Sequence, residues 1–253
     1  MPKIRIYSPN HSCDPLRTLV LKTPIVLRLG SSKPHDTTGR IVLNSVEGIQ
    51  ISSDKRKSKR VMVDLGLHTA EYCVPQTKEE CIDFVFDLVD DDNAVIIKKY
   101  NSCKGKGIYF IQSMGDLNNW LNDHEEELRQ YVFERYYDFP REYRFHVDVR
   151  HGIFYGCRKL LKNDAEETWH RHDCNSVWIL PENPKFKTPP FLGQIEEDCI
   201  RYMEEVGLDI CAFDIKSDNT DFIILESNTA PSLGPHGIEM YRNHLLKYYN
   251  ESI

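Results

Sequence analysis

Residues 214–228 read DIKSDNTDFIILESN. A strand-like run ends near Asp214, a polar turn comes next at Ser217, Asp218, Asn219 and Thr220, and a second strand over 222–225 delivers Glu226 and Asn228. Residues two apart on a strand share a face, so Glu226 and Asn228 point the same way. Asp214, Glu226 and Asn228 converging from adjacent strands would offer three hard oxygen ligands. Such a set suits Mg²⁺, which takes few carboxylates and leaves room for phosphate oxygens. An exposed acidic hairpin is the plainer reading of the same residues. Cross-strand partners in an antiparallel pair share a face, so register decides between the two. If Ser217 paired with Thr220 around a two-residue turn, Glu226 would fall on the face away from Asp214. Pairing Ser217 with Asp221 would bring Asp214, Glu226 and Asn228 together. The metal reading therefore requires an odd-length turn at 218–220, or a bulge with the same effect.

A second stretch, residues 94–111, reads AVIIKKYNSCKGKGIYFI. An apolar strand ends in Lys98-Lys99, a loop alternates Gly105 and Gly107 with lysines, and another apolar run begins. Glycine lets backbone N–H groups approach an anion closely, while Lys104 and Lys106 supply charge. No GKS or GKT opens a helix here, which excludes a Walker loop. The run after Gly107 is strand-like, which excludes the dinucleotide fingerprint. A flexible hairpin over phosphates fits, with a solvated turn as the alternative.

Elsewhere the first fifty residues lean to β, with strands expected at 3–7 and 23–29 and a loop at 31–39. Ser53 or Asp54 can cap a helix running to about Leu65, with Gly66 as its stop. Thr77 and Glu80 have capping-box spacing for a helix from Lys78 to about Val89. Another helix is expected over about 115–130, then a strand at 131–135. A long strand over 142–149 pairs with 154–161 across the turn at His151-Gly152. Tyr143, Phe145, Val147 and Val149 are apolar, and Glu142, Arg144, His146 and Asp148 polar, so one face is core and the other chemical or wet. Residues 196–206 read as an amphipathic helix stopped by Gly207, and a last helix is expected near 237–249.

Composition excludes much else. The 253 residues, 40% apolar and 28% charged, describe a soluble globular chain long enough for a large core. No apolar run approaches a membrane span, and MPKIRIYSPNH lacks a signal peptide's apolar centre. Eight cysteines without a C-x-x-C pair argue for reduced thiols in a cytoplasmic setting, against a zinc knuckle or a disulfide scaffold. Zinc on His172 and Asp173 is not expected either, since no second His or Cys stands at ligand spacing. A net charge of −7 argues against a nucleic-acid coat. The run Lys55, Arg56, Lys57, Lys59, Arg60 is read as a solvated helix face.

Together the pieces resemble the ATP-grasp superfamily, specifically carboxylate–amine ligases such as the alpha-L-glutamate ligases, D-alanine–D-alanine ligase and compact bacteriophage-type ATP-grasp proteins. The likeness covers roughly residues 52–245. SSDKRKSKRVMVDLGLHTAEYCVP (52–75) is similar to the family's opening helix and following strand, and IKKYNSCKGKGI to its phosphate-covering loop. FERYYDFPREYRFHV (133–147) is similar to the adenine hinge and the next long strand, and DIKSDNTDFIILESNTAPSL to the metal-binding hairpin with its E-x-N ending. The resemblance implies an α+β, ATP-grasp fold in which two subdomains grip the nucleotide. They would lie at about 92–135 and 136–253 within a 52–253 domain, behind a short N-terminal region, 1–51.

It also implies roles. Lys98 would hold the α- and β-phosphates, with Lys55 at the opening helix and Lys104, Gly105, Lys106 and Gly107 over the phosphates. The backbone of Phe133, Glu134, Arg135 and Tyr136 would read the adenine edge, and Glu142 the ribose. Arg158 first, with Arg144 and Lys159, would supply the cation against the transferred phosphoryl group. His170, Arg171, His172, Asp173 and Asn175 would line the acceptor end. ATP with two Mg²⁺ ions (or Mn²⁺) on Asp214, Glu226 and Asn228 would drive a carboxylate through an acyl-phosphate to an amide. The substrates would be small-molecule or peptide carboxylates and amines. Alternatives are an ATP-grasp phosphotransferase with a hydroxyl acceptor, a nucleotidyltransferase or polynucleotide ligase (its K-x-D-G signature is absent), and a silent nucleotide-binding module.

Overall fold

The protein is described by a computed structural model covering residues 2–102, 107–166, 169–172 and 174–249. Three parallel strands, β1 (Arg5–Tyr7), β2 (Ile25–Arg28) and β3 (Ile41–Leu43), form the N-terminal sheet in the order β1-β2-β3. A 3-10 helix, His11–Thr18, lies between the first two strands. Helix α1 (Val46–Ser53) is next, then α2 (Lys55–Asp64). The cap of α2 is Asp54, whose carboxylate accepts from Arg56 N–H, and Gly66 just beyond its end is left-handed at φ 65°.

A four-stranded antiparallel sheet comes next, ordered β4-β7-β5-β6, from β4 (Tyr72–Cys73), β5 (Val95–Lys99), β6 (Ile108–Ile111) and β7 (Tyr131–Arg135). Its helices are α3 (Lys78–Asp90) and α4 (Met114–His124), the latter continued by a 3-10 turn, Glu125–Gln130. Thr77 Oγ1 caps α3 through Glu80 N–H at 3.3 Å, while Glu80 reaches back to Gln76 N–H at 2.7 Å. Val85, Ile97, Leu117, Trp120 and Phe133 form the core of this unit.

The third sheet is antiparallel, ordered β10-β9-β8-β11-β12. Its strands are β8 (Arg141–Asp148), β9 (Gly152–Leu161), β10 (Ser176–Ile179), β11 (Ile210–Ser217) and β12 (Phe222–Asn228). Helix α5 (Leu192–Val206), stopped by left-handed Gly207, packs with α1 and α2 on the apolar face. Tyr143, Phe145, Phe213 and Ile224 lie there against Ile49, Met62 and Tyr202. Helix α6 (Pro235–Tyr248) closes the chain.

The N-terminal sheet shares its core with α6, through Leu16, Leu27, Tyr241 and Leu245. The expected boundary at 51/52 cuts through α1, whose Ile49 belongs to the core of the large sheet. Buried Asn44 links β3 to β11. Its amide donates to Arg28 O and Ile210 O at 2.8 Å each, and its Oδ1 accepts from Asp209 N–H and Ile210 N–H. All the hydrogen-bonding capacity of this buried amide is used, as an interior site demands.

The polar face of β8 is split. Glu142 and Arg144 border a cleft, but Asp148 at the far end is fully buried under α6, held by His244 Nε2 at 2.7 Å and Tyr249 OH at 2.6 Å. That end is neither wet nor chemical; it is a packed polar contact. Among the described residues, no helix is long and apolar enough to cross a membrane.

Candidate active site

The hairpin register answers the requirement set by its sequence. Ser217 pairs with Phe222, and Asp218 N–H donates to Asp221 O at 3.0 Å, so the turn is even. The Asp218 carboxylate stabilises the turn by accepting from Thr220 N–H and Asp221 N–H. Continued regularly, this register would set Asp214 opposite Leu225. The ladder slips between Asp214 and Ile215, leaving Leu225 as an extra residue, and Asp214 pairs with Glu226 instead. Ala212 pairs with Asn228, so Asp214, Glu226 and Asn228 share one face. The odd-length turn does not form, and the bulge takes its place.

That face borders a cleft of about 960 Å³ between the large sheet and the four-stranded one. Among the described residues, eight cationic side chains and four carboxylates line it, a local positive excess in a chain of net charge −7. Such a cavity suits a polyanion. The carboxylates are already paired. Arg144 grips Asp214 through both oxygens, at 2.6 and 2.7 Å. Burial pushes the Asp214 carboxyl up, but the Arg144 charge outweighs it and holds the group below the ordinary carboxylate range. Lys55 Nζ lies 3.5 Å from Glu226 and donates to Ser102 O at 2.8 Å.

On the opposite wall Lys98 turns into the cleft and donates to Glu134 at 2.9 Å, while Lys99 turns outward to Glu127. Lys59 is also within 3.3 Å of Glu134 and donates to Thr69 Oγ1. Burial would neutralise Glu134, but the ammonium groups of Lys59 and Lys98 keep it ionised, below its ordinary range. Lys59 belongs to the run expected as a solvated face, and the structure buries it. Its spacing of four from Lys55, which puts both on one side of a helix, is the signal that sequence offers.

Glu142, two residues before Arg144 on β8, is enclosed by Lys159 and Arg171, each at 3.5 Å, and burial raises its pKa. His146, hydrogen-bonded to Tyr241 OH at 2.8 Å, is pushed down to about 3 by burial and by Arg144. Burial also lowers His170, to about 4. Both imidazoles border the cleft as neutral groups near pH 7.

Several expected residues are placed differently. Arg158 pairs with Tyr143 in the β8–β9 ladder, so strand alternation turns it to the other side of the sheet from the cleft. It donates to the carbonyls of Lys185 and Phe186 instead. Its neighbours Cys157 and Lys159 are the ones that face the cavity. Asn175 braces its own loop, donating to His170 O and accepting from His172 N–H, while His170, Arg171 and His172 line the cleft. At the hinge, Arg135 N–H donates to Glu71 O and Tyr136 N–H to Ala94 O, so neither donor is open to a base edge. Gly107, left-handed at φ 64°, closes the β5–β6 connection by accepting from Lys99 N–H. Lys104, Gly105, Lys106 and Asp173 lie outside the described residues.

Solved structures resemble this architecture at low identity. D-alanyl-alanine synthetase A from Vibrio cholerae aligns with a TM-score of 0.63 and 13% identity, over 90% of this chain and 72% of that one. The ATP-grasp ligase PsnB, complexed with a minimal precursor, aligns at 0.57 and 18%, over 79% of this chain and 59% of its own. The chain has the ATP-grasp fold. Biotin carboxylase from Campylobacter jejuni, in a β,γ-ATP complex, shares that ATP-grasp architecture at a TM-score of 0.64 and 15% identity, over 90% of this chain and 55% of that one. No family model matches the sequence, and no curated protein matches it.

The donor chemistry of the hairpin residues Asp214, Glu226 and Asn228 fits magnesium. Among the described residues no three His, Cys, Asp or Glu side chains form a ready-made cage. Two carboxylates and one amide oxygen leave coordination positions for phosphate oxygens, which is the usual magnesium arrangement at nucleotides.

Proposed function

We propose that the protein is an ATP-dependent, ADP-forming carboxylate–amine ligase. One observation carries the reading: the bulged hairpin sets Asp214, Glu226 and Asn228 on one face, across a cation-lined cleft from Lys98 and Lys59. Asp214, Glu226 and Asn228 would hold Mg²⁺, which when bound neutralises the triphosphate and orients its γ-phosphoryl group.

The residues of the chain then have distinct tasks. Lys98 and Lys59, now sharing Glu134, would turn to the α- and β-phosphates. Arg144 and Lys159, on adjacent strands of the same face, would meet the transferred phosphoryl group as a substrate carboxylate attacks it. Arg144 now spends its guanidinium on Asp214, so metal binding and release of this arginine toward phosphate would occur together. An acyl-phosphate forms as the γ-phosphate bond to ADP breaks; an amine then displaces phosphate to give the amide. Positioning and electrostatics supply the acceleration, so no side-chain nucleophile is needed. The acceptor end, bordered by His170, Arg171, His172 and Trp178, would take an amino acid, a peptide or a modified small molecule.

The test is an ADP-release screen with Mg-ATP against amino-acid and peptide pools, with mass measurement of the product. An amide product that disappears in Glu226→Gln supports the ligase. A phosphorylated product without an amide assigns a phosphotransferase instead. Full turnover in Glu226→Gln removes the metal assignment.

A further inference from the structure

Lys216 has no part in the phosphate chemistry above, yet it is buried, it borders the cleft, and its ammonium group is held in a defined place. It stands two residues beyond Asp214 on β11, on the same face, opposite Glu142 on one side and Ile223 on the other. That places it about 7 Å along the strand from the metal hairpin, toward the hinge. Its Nζ donates to Tyr137 O at 3.1 Å and sits 4.5 Å from the centre of the Tyr136 ring. Its cross-strand partner Ile223 lines the same cleft, to which Ile96 and Ile108 from the small sheet and Leu225 from the hairpin add apolar wall. Apolar walls suit a flat ring, with polar groups beside them fixing orientation.

We propose that Lys216 reads the base of the bound nucleotide, and that the cleft accepts a 6-oxopurine nucleotide as well as an adenine one. The proposal rests on the nucleotide-binding reading above. With phosphates at Asp214 and Lys98, the part of the ligand level with Lys216 and the hinge is the base. Of the hinge N–H groups described from Arg135 to Tyr137, one is open to a ligand. Arg135 and Tyr136 N–H groups are spent on Glu71 O and Ala94 O, and the Tyr137 carbonyl is taken by Lys216 itself. Tyr137 N–H makes no hydrogen bond among the described residues. An ammonium has three donors and no acceptor, so hydrogens remain for a ligand after the bond to Tyr137. Guanine presents O6 and N7 as adjacent acceptors, the pair that lysine recognises. Adenine presents N7 beside an N6 amino group, which sets donor against donor.

Isothermal titration of the folded protein with ADP and GDP, each with Mg²⁺, tests this in the wild type, Lys216→Met and Lys216→Gln. The wild type should bind GDP within about tenfold of ADP. Lys216→Met should shift the GDP-to-ADP ratio against GDP by at least about tenfold, and Lys216→Gln, which adds an acceptor, should shift it further toward ADP. The inference is overturned if GDP binds more than tenfold weaker than ADP to the wild type, or if both variants leave the ratio unchanged. Binding of neither nucleotide to folded wild type would sink the nucleotide reading itself. Binding of ADP with rejection of GDP sinks only the role given to Lys216.

Discussion

Asp214 and Glu226 lie directly opposite each other across β11 and β12, although the turn that joins the strands would by itself set them on opposite faces. One extra residue, Leu225, makes the difference. The two acids are nonetheless unequal. Asp214 is buried and shares both oxygens with a largely enclosed arginine, whereas the Glu226 side chain is 36% exposed and faces a lysine 3.5 Å away.

Asp214→Asn and Glu226→Gln should both lose Mg-dependent turnover, but only the first should lower stability much. Removing one partner of a buried pair leaves the other charge uncompensated, at a cost of about 3 kcal/mol. The more exposed pair is worth about 0–1 kcal/mol. Denaturant unfolding of the two variants measures this, and equal losses would contradict the assignment of Arg144 to Asp214.

Neighbouring residues on β9 should behave oppositely. Lys159→Met should depress turnover strongly, since its ammonium lies in the cleft beside Glu142. Arg158→Met should keep kcat/KM within about threefold and instead lower Tm, because its bonds go to the 185–186 backbone. A catalytic collapse in Arg158→Met with an intact fold would show that the cleft draws on both faces of the strand.

Gly30 is held in the left-handed region at φ 81°, and a Cβ placed there would come within 2.4 Å of Ala230 Cβ. Gly30→Ala should therefore destabilise the protein by about 2–4 kcal/mol, from strain and overpacking together. Adding Ala230→Gly should recover the steric part and leave the backbone part. Paired thermal melts distinguish the two contributions.

Acid should weaken the fold partly through His146. Its folded pKa is depressed to about 3 from 6.5. The unfolded chain therefore binds the extra proton first, and the stability contributed by the neutral ring, full above 6.5, is lost as pH falls through that window. The slope is about 1.4 kcal/mol per pH unit. Glu142, raised by burial, acts in the opposite sense, losing stability as pH rises through its own window. His146→Gln should flatten the unfolding free energy between about pH 6 and 4. An unchanged slope would mean that the ring is charged in the folded protein.

Much of the architecture was legible along the chain because it depends on short-range rules. Asp54, Thr77 and Gly207 mark helix ends through their own backbone chemistry. Alternation along β8 separates Tyr143 and Phe145 from Glu142 and Arg144 before any neighbour is known. The same period, carried one residue further along β9, would have turned Arg158 away from the cleft and Lys159 into it, had the pairing with β8 been known. That pairing is a tertiary fact. So is the insertion of Leu225, since a bulge is fixed by the partner strand and leaves no composition mark of its own. Lys59 and Lys216 fit ordinary patterns for exposed lysines, and only the closing of two sheets over them made them buried cleft residues. The sequence alone determined which side chains could share a strand face or a helix side. Which of those faces meet, and therefore which charges must find partners away from water, was decided by packing between elements far apart in the chain.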